Sequence, residues 1–185
     1  MARTESNMLP LGTKAPDFTL LDSISLNLVS LKDIRGEKGT VVMFICNHCP
    51  YVKHVNKELV RVCNDYRVTG FGFVAISSND VEKYPEDSPK EMWRTAQRLG
   101  YPFPYLYDET QEVAKAYDAA CTPDFYLFDS ELKLVYRGQL DNSRPGNSIP
   151  VNGRDLREAL DNILNNNQQR DIQKPSMGCN IKWKE

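Results

Sequence analysis

The sequence predicts an α/β fold: a three-layer α/β/α sandwich around a mixed central sheet. Two continuous apolar runs, Thr40–Cys46 and Phe71–Ser77, have the length and β-branched content of strands buried on both faces. Between them, Val52, Val55, Leu59, Val62, Cys63 and Tyr66 recur at helical spacing, and Gly70 ends the stretch. Strand, helix, strand is a βαβ unit, which implies parallel pairing through a right-handed crossover. Further on, Phe125–Phe128 and Leu132–Arg137 flank a turn at Asp129–Glu131 and predict an antiparallel hairpin, so the sheet is mixed.

The remaining elements follow in order. Residues 1–11 read as a loose tail, and Gly12–Leu20 as an opening loop leading to short extended segments around Leu26–Leu31. Arg35–Gly39 is a charged turn ahead of the first buried strand. Asn79–Pro89 is polar, holds two prolines and reads as a surface loop. Ser88 caps a helix running to about Leu99, with Glu91 completing a capping box. Pro102 and Pro104 break the chain before Tyr105–Tyr107, and a short helix follows near Gln111–Tyr117. Residues 138–152 form a Gly/Pro/Asn loop. Asp155–Asn165 is a last amphipathic helix with Leu156, Leu160, Ile163 and Leu164 on one stripe, and residues 166–185 form a second tail, polar until Met177–Trp183. The expectation is a single domain over residues 1–185, with helices on both faces of the sheet.

Composition narrows the function classes. The chain has 185 residues, 41% hydrophobic and 26% charged, which is ordinary for a globular protein with a sizeable core. A net charge of −2 gives no electrostatic reason to expect nucleic acid or an anionic membrane as partner. The longest apolar run, Val41–Cys46, is far too short for a bilayer, and the N-terminus has no apolar core of signal-peptide length. The expected location is therefore the cytoplasm, where thiols are kept reduced. Five cysteines, an odd number, argue against a structural disulfide framework and leave packing, metal ligation or redox chemistry.

Cys46-Asn47-His48-Cys49 falls where the first buried strand gives way to the helix, and Pro50 fixes both cysteines at or before the first helical turn. A two-residue spacer brings two sulfurs within bonding reach. Free N–H groups at a helix start favour thiolate over thiol, and the thiolate is the nucleophile in disulfide exchange and in attack on peroxides. C-x-x-C beside a βαβ unit in a cytosolic chain is a thioredoxin-like redox motif. A rival reading makes Cys46, His48, Cys49 and His54 a zinc or copper site. It lacks a second C-x-x-C or an H-x-x-x-H pair, so neither metal nor cofactor is expected.

With GTKAPDFTL, the cysteine pair and Cys121-Thr122-Pro123 in view, the chain resembles the thioredoxin superfamily. More closely, it is similar to the peroxiredoxin-like branch of the alkyl hydroperoxide reductase/thiol-specific antioxidant family. Gly12, Ala15, Pro16 and Phe18 match that group's opening motif, and Cys46–Pro50 its active-site position. Ile76–Asp80, Tyr101–Tyr117, Cys121–Asp129, Leu140–Gly146 and Gly178–Trp183 resemble the branch closely. The resemblance implies a thioredoxin-like sandwich, an antioxidant role in cell redox homeostasis, and a cis peptide bond between Thr122 and Pro123 facing the cysteines.

The chain departs from the family at an informative place. Peroxiredoxins look like P-x-x-x-T-x-x-C with the peroxide-attacking cysteine last; here Val42 stands at the proline, Cys46 at the threonine and Cys49 at the cysteine. The sequence therefore favours thiol–disulfide oxidoreduction, with Cys46, the more exposed thiol by this reading, attacking and Cys49 resolving. Alternatives are a thiol-dependent peroxidase with Cys49 as the peroxidatic cysteine, and a non-catalytic redox-sensing or metal-binding module. The expected substrate is a thiol or disulfide of a protein or small molecule, or a peroxide, with a thioredoxin-type protein or glutathione as reductant.

Supporting candidates surround the pair. His48, protonated, stabilises a Cys46 thiolate, while Lys53 and Arg144 are either cations that lower a thiol pKa or solvated charges. Cys63 lies on the apolar helix stripe and reads as core. Cys121 is either packed in its loop or a third thiol able to exchange with Cys46. Cys179 is either a free surface thiol or an extra resolving cysteine.

Overall fold

Alternation along one strand divides the core. In the computed structural model, which describes residues 3–185, Val41, Met43 and Ile45 face one side of the sheet and Val42 and Phe44 the other, all of them buried. The strands are β1 (Arg3–Glu5), β2 (Thr19–Asp22), β3 (Leu28–Ser30), β4 (Gly39–Phe44), β5 (Phe71–Ser77), β6 (Tyr105–Tyr107), β7 (Cys121–Thr122), β8 (Asp124–Asp129), β9 (Leu134–Gly138) and β10 (Met177–Asn180). The helices are α1 (Leu31–Ile34), α2 (Pro50–Arg67), α3 (Pro89–Leu99), α4 (Glu112–Ala116) and α5 (Arg154–Leu164). Seven strands form the main sheet in the order β3-β2-β6-β5-β4-β8-β9. β4 pairs β5 in parallel and β8 antiparallel, so the sheet is mixed as its sequence pattern predicts.

The odd-numbered face of β4 packs under α2, α3 and α5 through Val52, Val55, Leu59, Met92, Ala96, Leu156 and Leu160. The even-numbered face lies over Leu31 of α1, Ala114 of α4 and an aromatic set of Phe44, Tyr117, Tyr126 and Phe128. Each fully buried Leu, Ile or Phe contributes roughly 1.5–3 kcal/mol over its exposed state. α2 runs 18 residues from the cysteine pair, with Cys49 at its N-cap and Pro50 in its first turn. The Cys49 carbonyl accepts the first helical bond, from the Lys53 N–H at 3.0 Å.

Three expectations need correction. The Ser88/Glu91 capping box does not form: Ser88 is the N-cap of α3 but makes no side-chain cap bond, and Glu91 pairs with Arg94 instead. A complete capping box occurs at Ser30 and Asp33, where a single turn of helix interrupts what reads as extended chain. The two tails are not loose. β1 pairs β10 antiparallel, and β10 pairs β7, so both chain ends are tied into a three-stranded sheet beside the cysteine pair. The cause is local: Ser176, Gly178, Cys179 and Ile181 are buried within a segment whose charge and polarity look like solvent-facing tail. The loop at 79–89 also holds a 3₁₀ turn, Pro85–Asp87, whose last residue is fully buried.

Candidate active site at the strand–helix junction

β4 delivers its chain to α2 through a short bend. The Ile45 N–H still bonds the Ile76 carbonyl at 3.0 Å, which holds Cys46 in line with the sheet. Asn47 and His48 then turn the chain, and Cys49 caps the helix. The two thiols are electrostatically coupled, each shifting the other's proton affinity. Opposite them stands Thr122: its hydroxyl is 3.4 Å from Cys46 Sγ and its carbonyl oxygen 3.3 Å from Cys49 Sγ. The Thr122–Pro123 bond is cis.

Cys46 is the more exposed of the two thiols, as expected, but only by a small margin. Cys46 is 2% exposed and Cys49 0%, so both lie at the floor of the junction. The charge distribution is the reverse of the expected one. The hydrogen bond given by Cys46 brings the Cys49 thiol down to about 5; burial opposes this, and the Cys179 thiol and the backbone N–H groups of Val52 and Cys179 add to it. Cys46 is held well above the ordinary thiol range by the same shared bond, by burial and by the nearby Asp87 charge. The balance thus favours the proton on Cys46 and thiolate character on Cys49.

Asp87, which its loop gives no sequence signal to single out, organises the other wall. Its carboxylate is fully buried and accepts the backbone N–H of Asn47 at 2.7 Å, the backbone N–H of His48 at 3.3 Å and the side-chain amide of Asn79 at 2.8 Å. His48 Nδ1 donates to it at 2.6 Å. Burial alone would raise the Asp87 carboxyl, but the bonds from His48 and Asn79 and the imidazolium charge bring it below the usual range. The same bond raises His48 above its ordinary value despite burial. The imidazole stacks on Tyr84, ring centroids 5.3 Å apart and planes 11° from parallel, and its Nε2 is buried with no hydrogen-bond partner among the described residues. His48 therefore sits as a fixed, Asp-paired ring beside the thiols.

A metal reading gains little from this. Ligand atoms of Cys46, His48 and Asp87 lie within 4.8 Å of one another, but Asp87 is already saturated by four donors. His54 is elsewhere, its Nε2 2.7 Å from Ser143 Oγ.

The other thiols divide clearly. Cys63 lies on the buried face of α2, and burial pushes it up to about 12. Cys121 is fully buried with its sulfur 3.8 Å from the Pro123 carbonyl; burial raises it far above the ordinary range. Cys179 is the surprise. It is no surface thiol, and its Sγ lies 2.7 Å from Cys49 Sγ. Burial, followed by the hydrogen bond to Cys49, lifts it to about 12. Arg144 is not at the sulfurs: its guanidinium bonds the Asp141 and Ser143 carbonyls of its own loop, in a shallow recess that also includes Tyr51, Pro123 and Met177. Lys53 is exposed, along a charged recess with Asn47, His48, Arg94 and Arg98.

A βαβ unit that presents a C-x-x-C at its strand–helix junction, completed by an antiparallel hairpin, defines a thioredoxin-like protein. A putative thioredoxin from Neisseria meningitidis superposes with a TM-score of 0.64 at 22% identity, over 83% of this chain and 92% of that chain, a likeness of fold alone. The AhpC/TSA family model matches residues 11–137, and the chain belongs to the AhpC/TSA family. An uncharacterized conserved protein from Geobacillus kaustophilus is 64% identical, with a TM-score of 0.98 over 100% of this chain and 97% of that one. Thiol-disulfide oxidoreductase ResA of Geobacillus kaustophilus (strain HTA426) is 28% identical over 146 residues, 74% of this chain and 75% of that protein. The family acts on thiol and disulfide substrates. No helix among the described residues is long and apolar enough to cross a membrane.

Proposed function

We propose that the chain is a thiol–disulfide oxidoreductase in which Cys46 attacks the substrate disulfide and Cys49 resolves the intermediate. The supporting observation is the sulfur pair at the head of α2, both sulfurs against Thr122 and coupled to each other. As Cys46 attacks a disulfide RS–SR′, its proton passes to Cys49 and R′S⁻ leaves, taking the proton from Cys49. The Cys49 thiolate then attacks the Cys46 sulfur and RS⁻ departs, leaving a Cys46–Cys49 disulfide. Two thiol equivalents have been oxidised and one substrate disulfide reduced to RS⁻ and R′SH. A thioredoxin-type protein or glutathione reverses the enzyme's half of the reaction. His48, held protonated by Asp87, offsets negative charge on whichever sulfur carries it. Thr122 and Pro123 form the wall against which an extended substrate segment lies. An antioxidant role in the cytoplasm fits this chemistry, because five cysteines in one chain suit a reducing compartment.

One observation favours a second reading, reduction of a peroxide by Cys49. The resting thiolate sits on that residue, and Cys49 occupies the peroxidatic position of the family pattern. Against it stand the complete burial of Cys49 and the missing threonine and proline. Serine variants separate the two. Cys46→Ser is expected to abolish insulin reduction by dithiothreitol, and Cys49→Ser to accumulate mixed disulfides through Cys46. Retained peroxide consumption by Cys46→Ser, with none by Cys49→Ser, would replace the first reading with the second.

A further inference from the structure

We propose that Cys49 is the hub of a three-thiol exchange site, in which the disulfide made with Cys46 is handed on to Cys179 and Cys46 returns as a free thiol. The inference rests on the oxidoreductase reading for how oxidising equivalents arrive, and on separate geometry for where they go next.

The geometry is that of a central sulfur between two others. Cys46 and Cys49 both meet Thr122, at its hydroxyl and its carbonyl, and Cys49 lies 2.7 Å from Cys179 Sγ on its other side. A disulfide spans about 2.05 Å, so closing the second pair needs a movement of about 0.7 Å. The backbone holds Cys179 in that position. It sits opposite Thr122 in the β7–β10 pairing and opposite Arg3 in the β1–β10 pairing. Thr122 is the common neighbour: its hydroxyl meets Cys46, its carbonyl meets Cys49, and its backbone registers Cys179. Gly178 makes the close approach feasible, since a Cβ there would fall 1.9 Å from the Thr122 carbonyl oxygen. All three thiols are buried, Cys179 at 4%, so the exchange from Cys46 to Cys179 takes place within the fold.

The step balances without an outside reagent. The Cys179 sulfur attacks Cys49 Sγ of the Cys46–Cys49 disulfide. The Cys49–Cys179 bond forms, the Cys46–Cys49 bond breaks, and its electron pair leaves on Cys46. Cys46 takes up the proton that Cys179 gives up, and no net oxidation occurs. The oxidised protein then carries its disulfide between α2 and β10, with the substrate-facing thiol restored.

Peptide mapping of the full chain tests this. The protein is equilibrated in oxidised and reduced glutathione, quenched in acid, alkylated and digested with trypsin. Residues 39–53 carry both Cys46 and Cys49, and residues 171–182 carry Cys179. The expected product is these two peptides joined through Cys49 and Cys179, with Cys46 alkylated. Cys179→Ser should lose the joined product, lose Cys46 alkylation and retain only the disulfide within 39–53. Cys46→Ser, which cannot form the disulfide that is handed on, should leave Cys179 alkylated. A wild-type protein that forms the Cys46–Cys49 disulfide and reduces insulin, but whose Cys179 is alkylated at every glutathione ratio, would overturn the hub and leave the oxidoreductase reading standing. Joining through Cys46 would overturn it equally. Absence of any disulfide at Cys46 or Cys49, together with absent insulin reduction, would remove both.

Discussion

At the scale of single residues, the site's chemistry depends on who donates hydrogen bonds to the Cys49 sulfur. As a thiol Cys49 itself donates, to the Thr122 carbonyl and to Cys179; as a thiolate it is favoured by Cys46, by Cys179 and by the backbone N–H groups of Val52 and Cys179, which outweigh burial. A hydrogen bond to a charged group is worth roughly 1.5–3 kcal/mol, about one to two pKa units. Thiolate absorbance of the reduced protein should therefore rise with a midpoint near 5. It should be absent in Cys49→Ser, and Cys46→Ala should raise the midpoint by about one to two units. A midpoint that ignores Cys46→Ala would mean the shared bond is not the cause. The second residue-scale argument concerns Asp87, which acts through His48 and so is a positioning residue. Asp87→Asn removes the charge that raises the imidazole, so His48 should titrate lower, toward its ordinary value of about 6.5. Proton NMR of the ring protons reads this directly. An unchanged titration would assign Asp87 a purely structural part.

At the scale of elements, strand β10 is what couples the chain terminus to the chemistry. Gly178 lies against Thr122 so closely that Ala has no room, its Cβ falling 1.9 Å from a backbone oxygen and 2.6 Å from the carbonyl carbon. Gly178→Ala should force β10 off β7, at about 1–3 kcal/mol. Cys179 should then react with maleimide much faster in the folded protein, and thermal unfolding should move down. If Cys179 stays protected, β10 is not held by this contact. The same strand marks where the sequence stops being legible. β4, β5, α2 and the β8–β9 hairpin follow from periodicity, because each buries a regular face that the residues themselves encode. β10 is four residues long and pairs across more than fifty positions with β7, so no local pattern marks it. Gly178 and Cys179 side by side were the available clue, a residue chosen for close approach next to a buried thiol. The site divides the same way. Cys46, Cys49 and His48 are readable from spacing and their place at a strand–helix junction, and Thr122 from the family resemblance. Asp87 lies in a polar loop, and only tertiary contacts with residues 47 and 48 give it meaning.

At the scale of the whole molecule, the thiol arrangement links folding to redox state and pH. Cys49 has a folded-state pKa near 5 against about 9 when unfolded, so between those values the unfolded chain binds more protons at this residue. This contribution to stability is fully present above about pH 9 and is lost progressively as pH falls through 5. Cys46 runs the other way. Its folded value is raised, so its contribution is present below its unfolded value and is lost at higher pH. His48 and Asp87 add a window of their own. Their ion pair needs a protonated ring, whose raised value means stability lost as pH rises through it, and an ionised carboxylate, whose lowered value means stability lost as pH falls through it. A disulfide at Cys49, whichever partner it takes, removes the thiolate term and leaves the histidine term. The denaturation midpoint of the reduced protein should thus climb between pH 5 and pH 8 relative to the oxidised protein measured in the same buffers. Cys49→Ser should flatten that difference, while Cys63→Ser, in the core away from the site, should lower both curves without changing it. Parallel curves for the reduced and oxidised wild-type protein would show that the charge on Cys49 is not coupled to the fold.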